Sequence, residues 1–166
     1  MIGLDHLWML AAALALDAAL GDPDLVWRRL PHPVVLIGRL IDLFDRLLNR
    51  RHLAPRTVKA LGALAIFVVA AAAATIGYGL EAAFDALPSG WVGTILVAAV
   101  LLAGRSLHDH VAAVAAAFAS GGIEAARIAV SRTFGRDPVS LDEAGVCRAA
   151  IESAAEYFSD GVVAPA

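Results

Sequence analysis

The sequence has little charge and a single cysteine, and each scarcity excludes a class of protein. Of its 166 residues, 60% are hydrophobic and 17% are charged, whereas an ordinary soluble domain is about 45 to 50% apolar. The lone Cys147 excludes an intrachain disulfide and a cysteine-rich metal site, and it suits packing better than nucleophilic catalysis. No stretch is basic enough for a nucleic-acid surface, so we expect no nucleic acid among the partners.

Long apolar runs predict membrane-spanning helices. Residues 60–80 carry no charge, and at about 1.5 Å per residue they cover roughly the 30 Å hydrocarbon core. Arg105 is the only charged residue within 91–107. The run 4–20 is more polar and includes the acidic residue Asp17. These runs predict an all-α, polytopic membrane protein with spans of about 4–20, 60–80 and 91–107, and the alternative is a soluble, alanine-rich helical bundle.

The basic residues predict how these spans are oriented. Eight Lys and Arg lie between residues 21 and 59, none lies within 81–90, and the others begin at Arg105. The positive-inside rule then places segments 21–59 and 108–166 in the cytoplasm and the amino terminus outside. The first helix is expected to be retained, because no basic residue precedes it. We therefore expect residues 1–166 to form one multi-pass domain in the lipid bilayer of the bacterial inner membrane.

The polar parts of the chain also show helical patterns. Apolar residues recur at helical spacing from Ile37 to Leu48, which predicts an amphipathic helix along the membrane surface. After the last span, two or three more helices are predicted, with breaks at Gly121-Gly122 and at residues 135–138. Ser140-Leu-Asp-Glu143 has the form of a capping box that opens the last helix. No segment has a strand pattern.

A first polar cluster follows the first apolar run. It consists of Asp17, Gly21-Asp-Pro23 and Pro31-His-Pro33, which would bring carboxylates and an imidazole to the cytoplasmic interface. A helix stop followed by a proline-rich turn is the alternative. Asp17 favours a functional site, because an acidic residue within an apolar span is a functional hypothesis by default.

A second cluster combines arginines with a loop. Arg127 and Arg132 precede Gly135-Arg-Asp-Pro138, and a helix is predicted to begin soon afterwards. Guanidinium groups and free helix-end amides both bind phosphate, although a solvated basic face explains the pattern equally well. The segment lacks the glycine and lysine frame of a P-loop.

A third cluster is a row of acidic residues near the carboxyl end. Glu152, Glu156 and Asp160 are spaced four residues apart, so a continuous helix would place them on one face. Such a row would hold Mg²⁺ together with substrate phosphates. The alternatives are a solvated acidic face and a simple ion pair between Arg148 and Glu152.

These clusters, in this order, resemble the amino-terminal half of adenosylcobinamide-phosphate synthase, the membrane enzyme of cobalamin biosynthesis known as CobD or CbiB. Five segments of the sequence carry the resemblance: Leu16-Asp-Ala-Ala-Leu-Gly-Asp-Pro23, Pro31-His-Pro-Val-Val-Leu-Ile-Gly-Arg39, Ala103-Gly-Arg-Ser-Leu107, Gly135-Arg-Asp137, and Ala149-Ala-Ile-Glu-Ser-Ala-Ala-Glu156 continuing into Ser159-Asp-Gly-Val-Val-Ala-Pro165. Together the segments extend over nearly the whole chain.

The resemblance implies an ATP-dependent ligase that forms an amide between adenosylcobyric acid, a corrinoid, and aminopropanol or its phosphate. It implies ATP and Mg²⁺ as cofactors and other enzymes of the pathway as partners. We hypothesise that phosphate is bound by Arg132, Arg136, Asp137, Arg105 and Ser106. We hypothesise that catalysis involves Glu152, Glu156, Asp160, Asp22 and His32, and that Glu152, Glu156 and Asp160 hold the metal.

The sequence departs from the family pattern in two respects. Tyr157 follows the second glutamate, where the family usually has Asn, so an amide that can bind substrate or backbone is missing. The resemblance also covers only one half of the family's sequence, so the chain is expected to be a fragment, a frameshifted product or one part of a split enzyme. A non-catalytic membrane subunit, a corrinoid-binding scaffold and an inactive fragment are the alternative functions.

Overall fold

Every regular element in the described part of the chain is helical, which confirms the predicted all-α class. The computed structural model describes residues 4–50, 53–134 and 141–166. The elements are α1 (Leu4–Leu20), α2 (Asp24–Trp27), α3 (Pro33–Leu48), α4 (Pro55–Asp85), α5 (Gly90–Leu101), α6 (Gly104–Phe134), α7 (Glu143–Phe158) and a closing π turn (Ser159–Val163).

Two stretches of the described residues are long and apolar enough to cross a membrane. They are α4, and Gly90–Ser131, which takes in α5 and most of α6. None of the apolar window of α4 is buried. The structure divides the predicted segment 91–107, because α5 ends at Leu101 and α6 begins at Gly104. At 17 residues, α1 is a shorter apolar helix.

The predicted amphipathic helix is confirmed as α3. Pro33 occupies the first turn, where its fixed φ suits a helix and its missing N–H is not needed. Leu48 is the last residue, and the Asn49 amide then donates to the Asp45 carbonyl. No residue of α3 is buried, so its apolar side chains are open to the surroundings.

Close contacts group the chain into two compact units, Pro23–Thr94 and a second unit formed by Met1–Asp22 with Ile95–Ala166. The second unit contains two apolar clusters. The first cluster joins α6 to α7 through Val114, Ala126, Val130, Val146 and Ala150. That residues 1–166 form one multi-pass domain stays a prediction.

The α6–α7 cluster depends on a break inside α6. Gly122 has φ 64° and ψ −155°, a conformation that a residue with a Cβ rarely adopts. The chain changes direction there, so Val114 before the break shares a core with Ala126 and Val130 after it. The break predicted at Gly121-Gly122 is therefore confirmed, and the one predicted at residues 135–138 lies outside the described residues.

The second apolar cluster lies where α1 meets the end of α5. Its buried members are Ala13, Ile95 and Leu102, and Val162 of the π turn packs against them. The close backbone contacts of α1 are with α6, so the cluster lies beside the place where the end of α1 meets the beginning of α6.

The last helix begins later than the capping box predicted, since Leu141 and Asp142 precede α7, and Ser140 itself lies outside the described residues. Asp142 is the N-cap of α7, and its carboxylate accepts a hydrogen bond of 2.7 Å from the Gly145 amide. Asp at this position satisfies an amide that has no partner within the helix. With Asp142 as the N-cap, the helix begins two residues later than the capping box predicted.

Replacing the cap tests how far α7 depends on it. Asp142→Ala removes the acceptor and should lower the free energy of unfolding by about 0.5 to 2 kcal/mol, whereas Asp142→Asn keeps an acceptor and should change it little. Thermal unfolding of the detergent-solubilised chain, followed by circular dichroism, measures both. Equal melting temperatures for the two variants would contradict the capping role.

Candidate functional site

Asp17 is the buried carboxylate at the centre of the candidate site. It lies in the last turn of α1, and only 6% of its surface is exposed. Its Oδ2 atom accepts a hydrogen bond of 3.2 Å from the backbone N–H of Arg105, in the first turn of α6. The first amides of a helix have no partner within it. Asp17 therefore caps α6 from another helix, in the way that an N-cap residue does from within.

The Arg105 side chain completes the link between these helices. Its Nη1 atom donates to the Ala18 carbonyl at 3.1 Å, and its Nε atom donates to both Asp109 carboxylate oxygens at 3.0 Å. Ala18 lies in the last turn of α1, where carbonyls lack helical partners and a cation is favourable. Phosphate binding by Arg105 stays a prediction, and its side chain is 46% exposed.

The π turn is hydrogen-bonded through its backbone to the break between α5 and α6, directly before Arg105. The Ala103 amide, in the break between α5 and α6, donates to the Gly161 carbonyl at 2.9 Å. A Cβ at Gly104 would lie 2.8 Å from Asp17 Oδ2, so only glycine fits without a shift. We call these residues, Asp17, Ala103, Gly104, Arg105 and Gly161, the Asp17 junction.

The Asp17 junction unites three segments that are far apart in sequence. One is the end of α1, which leads into Asp22; the second is the start of α6, which includes Ser106; the third is the π turn, which includes Asp160. Several sequence-predicted site residues are thus carried on elements that meet at one place. Their own roles in catalysis or phosphate binding stay predictions.

The acidic row is only partly arranged as the sequence predicted. Glu152 and Glu156 lie one turn apart on α7, whereas Asp160 belongs to the π turn, beyond the α-helical register. All three are exposed, and the described residues contain no group of three or more His, Cys, Asp or Glu that would hold a metal. Two carboxylates suit Mg²⁺ when substrate phosphates supply further ligands, so the metal role stays a prediction.

His32 has a structural role in the unit Pro23–Thr94. Its Nδ1 atom accepts from the Val34 amide at 3.3 Å and so caps α3. The Trp27 ring packs edge-on against the imidazole with a centroid distance of 4.3 Å. Because Nδ1 accepts, the ring proton lies on Nε2 while this bond is made. Catalysis by His32 stays a prediction.

The predicted phosphate cluster is only partly visible. Arg136 and Asp137 lie outside the described residues, as does the side chain of Arg132. Arg127 is held in place, since its guanidinium donates to the Leu141 carbonyl and its Nη1 atom pairs with Glu124 at 2.7 Å. Arg127 therefore fastens the start of α7 to α6.

The contacts that build the Asp17 junction could not be predicted from the pattern of side chains. Asp17 stood out as an acid in an apolar span, but its partner is the backbone N–H of Arg105, which no side-chain pattern reveals. The consecutive small residues Ala103 and Gly104 were the available signal, because small residues permit close approach between helices.

A comparison with protein-family models identifies one family. The model described as CobD/Cbib protein matches residues 10–166 of the chain. No solved structure matches the chain.

Curated relatives match the chain along nearly its whole length. A cobalamin biosynthesis protein CobD from Sinorhizobium sp is 50% identical over 161 residues, which are 96% of this chain and 50% of the relative. The protein of the same name from Rhizobium meliloti strain 1021 is 49% identical, and the match covers 96% of this chain and 49% of the relative. The protein of the same name from Rhodobacter capsulatus is 43% identical, and the match covers 95% of this chain and 49% of the relative. The chain thus spans about half the length of these relatives.

Substitution of Asp17 tests the junction. Asp17→Ala leaves the Arg105 amide without its acceptor in a partly buried contact and should lower the free energy of unfolding by about 1 to 3 kcal/mol. Asp17→Asn retains an acceptor oxygen and should lower it less. Thermal unfolding in detergent measures the difference, with Asp42→Ala, at an exposed position of α3, as control. A loss no larger for Asp17→Ala than for Asp42→Ala would contradict the role assigned to Asp17.

Proposed function

Because the chain belongs to the CobD/Cbib family, we propose that it acts in cobalamin biosynthesis, in the step that joins adenosylcobyric acid to aminopropanol or its phosphate. The observation that supports this most directly is the Asp17 junction. The end of α1, the start of α6 and the π turn, three segments on which the family resemblance depends, meet there through hydrogen bonds. The three segments therefore share one structural role, which is to form the Asp17 junction.

The chemistry of an amide bond sets what the site must provide. The carboxylate carbon has to become electrophilic, and phosphate charge has to be neutralised. The attacking amine has to lose a proton. ATP, as co-substrate, supplies the activation of the carboxylate. Arg132 and Arg136 are the candidates for phosphate, and the exposed carboxylates of α7 are the candidates for Mg²⁺ and for the base.

Glu156 is our candidate for the base. A carboxylate that accepts a proton from the amine nitrogen, as that nitrogen bonds to the acyl carbon, needs access to solvent and substrate. Glu156 lies exposed near the end of α7, three residues before the π turn begins at Ser159. The π turn in turn contacts the Asp17 junction through Gly161.

We further propose that the chain is a multi-pass protein of the bacterial inner membrane, with its amino terminus outside and its tail in the cytoplasm. In support, large apolar side chains of α4 such as Ile66 and Phe67 are 73% and 69% exposed. Water would oppose such exposure at about 25 cal/mol for each Å², whereas lipid would not. By the positive-inside rule, the basic residues of segment 21–59 favour the cytoplasmic side for that segment.

One observation favours a non-catalytic scaffold as the second candidate. Glu152, Glu156 and Asp160 are exposed, and neither of the two described cavities is lined by any of them. A subunit that holds a corrinoid or other pathway enzymes at the membrane needs no enclosed reaction site. Corrinoid binding without ATP-dependent turnover would distinguish this function from the amide synthase.

Growth of a bacterial strain that lacks this synthase tests the proposed function. On medium where growth requires cobalamin made from cobyric acid, we expect growth when the matching half of the Sinorhizobium relative is replaced by this chain. The intact relative is the positive control, and immunoblotting of membranes shows whether the chimera is present. A chimera that is present but does not support growth would contradict the assignment.

A substitution in the same chimera tests the proposed base. Glu156→Gln keeps the size of the side chain but removes the proton acceptor, so amide formation should fall by about 100-fold or more. Glu143→Gln, at the exposed start of the same helix, should leave turnover near the unsubstituted rate. Assay of adenosylcobinamide products in membranes measures both, and unchanged turnover for Glu156→Gln would remove this residue from the mechanism.

A further inference from the structure

One oxygen of the Asp17 carboxylate stays open at the Asp17 junction. Only 6% of the Asp17 surface is exposed, and its Oδ2 atom accepts from the Arg105 amide. Among the described residues, no group donates a hydrogen bond to Oδ1. An unpaired oxygen on a buried carboxylate is costly, and buried polar atoms are nearly always hydrogen-bonded. Oδ1 is not one of the fully enclosed polar atoms of those residues, so a ligand atom can reach it.

The charges around this oxygen favour a cation as the ligand. Asp17 and Asp109 both bond to Arg105, whose guanidinium supplies a single positive charge against their two negative charges. The carboxyl end of α1 and the amino end of α6 meet here, and their partial charges of about one half unit have opposite signs and cancel. His108 also contacts Asp109, but its side chain is 76% exposed, and solvent screens any charge that it carries. These groups together leave an excess of negative charge.

The kind of cation is limited by the available ligands and by the space. Mg²⁺ would need several further oxygen ligands, whereas the described residues contain no group of three or more His, Cys, Asp or Glu that would hold a metal. An ammonium group needs only a few acceptors, and the last carbonyls of a helix such as α1 have no partner within it. Neither described cavity is lined by Asp17, so the group that reaches Oδ1 has to be small.

We propose that Asp17 Oδ1 binds the protonated amino group of the amine substrate, a short primary amino alcohol, through a charge-assisted hydrogen bond. This inference rests on the proposed function, which supplies such an amine. The ammonium form cannot attack a carbonyl carbon, so its proton has to pass to a separate base before the amide forms. The end of α1 leads into segment 21–59, which the proposed orientation places in the cytoplasm, where a soluble amine is available.

Binding of two matched small molecules to the purified chain tests the charge of the ligand. The 166-residue chain in mild detergent is titrated calorimetrically at neutral pH with 1-amino-2-propanol and with 1,2-propanediol, which has a hydroxyl in place of the amine. We expect the amine to bind at least about tenfold more tightly, because only it is charged. Equal affinity for the two molecules, or no binding of the amine, would overturn the proposal.

Substitutions locate the amine on the chain. Asp17→Asn keeps an acceptor for the Arg105 amide but removes the charge, so affinity for 1-amino-2-propanol should fall at least about tenfold. Asp109→Asn, at a side chain that is 55% exposed, leaves the Arg105 charge uncompensated and should weaken binding by about two- to fivefold. Asp42→Asn, at an exposed position of α3, is the control and should bind as the unsubstituted chain does.

Circular dichroism shows which of these variants are folded. Unchanged affinity in folded Asp17→Asn would overturn the proposal. Should that variant not fold, unchanged affinity in Asp109→Asn would overturn it instead.

The chimera with the Sinorhizobium relative separates this inference from the proposed function. In an active chimera, Asp17→Asn should raise the KM for the amine about tenfold and leave kcat near the unsubstituted value, because it removes binding that substrate and transition state share. An unchanged KM with intact turnover would overturn the amine site alone. A chimera without turnover would overturn the proposed function, and the calorimetric titration then decides whether the ammonium site exists.

Discussion

The hydrogen bond from the Arg105 amide to the Asp17 carboxylate is the contact on which the packing of α1 against α6 depends. A carboxylate within an apolar helix is costly unless it faces a polar partner, and the first amides of α6 need an acceptor. Each group meets the other's requirement. The contact leaves no room for a Cβ at Gly104, and the neighbouring Ala103 amide fixes the π turn through Gly161. One buried acid thus joins α1 to α6, beside the backbone hydrogen bond that holds the π turn.

This arrangement separates structural from chemical roles among residues that sequence patterns had grouped together. Asp17, His32 and Arg127 each satisfy backbone groups at a helix end. Polar residues at such positions resemble site residues in a sequence, because capping and catalysis both draw on carboxylates, imidazoles and guanidinium groups. Glu152 and Glu156 differ from them, since both carboxylates are exposed on α7, and the catalytic role proposed for Glu156 depends on that exposure.

The two units differ in whether their apolar side chains are buried. In the unit built from Met1–Asp22 and Ile95–Ala166, apolar side chains form two clusters with buried members such as Val146 and Ala13. In the unit Pro23–Thr94, neither α3 nor α4 buries a residue. In the membrane placement proposed above, lipid would cover these exposed apolar side chains, and the basic residues of segment 21–59 would lie on the cytoplasmic side.

Composition and periodicity were sufficient to determine the helical class, the long apolar helix α4, the amphipathic helix α3 and the break at Gly122, because these depend on local side-chain pattern and backbone freedom. The tertiary structure decided the partner of Asp17, the division of segment 91–107 and the use of Asp142 as the cap of α7. The partner of Asp17 is a backbone group from a distant segment, and the cap of α7 depends on which nearby polar side chain meets a helix-end amide. One-dimensional spacing does not encode which amide a carboxylate meets. Asp17 and Arg105 stood out in the sequence as charges within apolar runs, whereas the hydrogen bonds that join α1 to α6 became visible only in the folded chain.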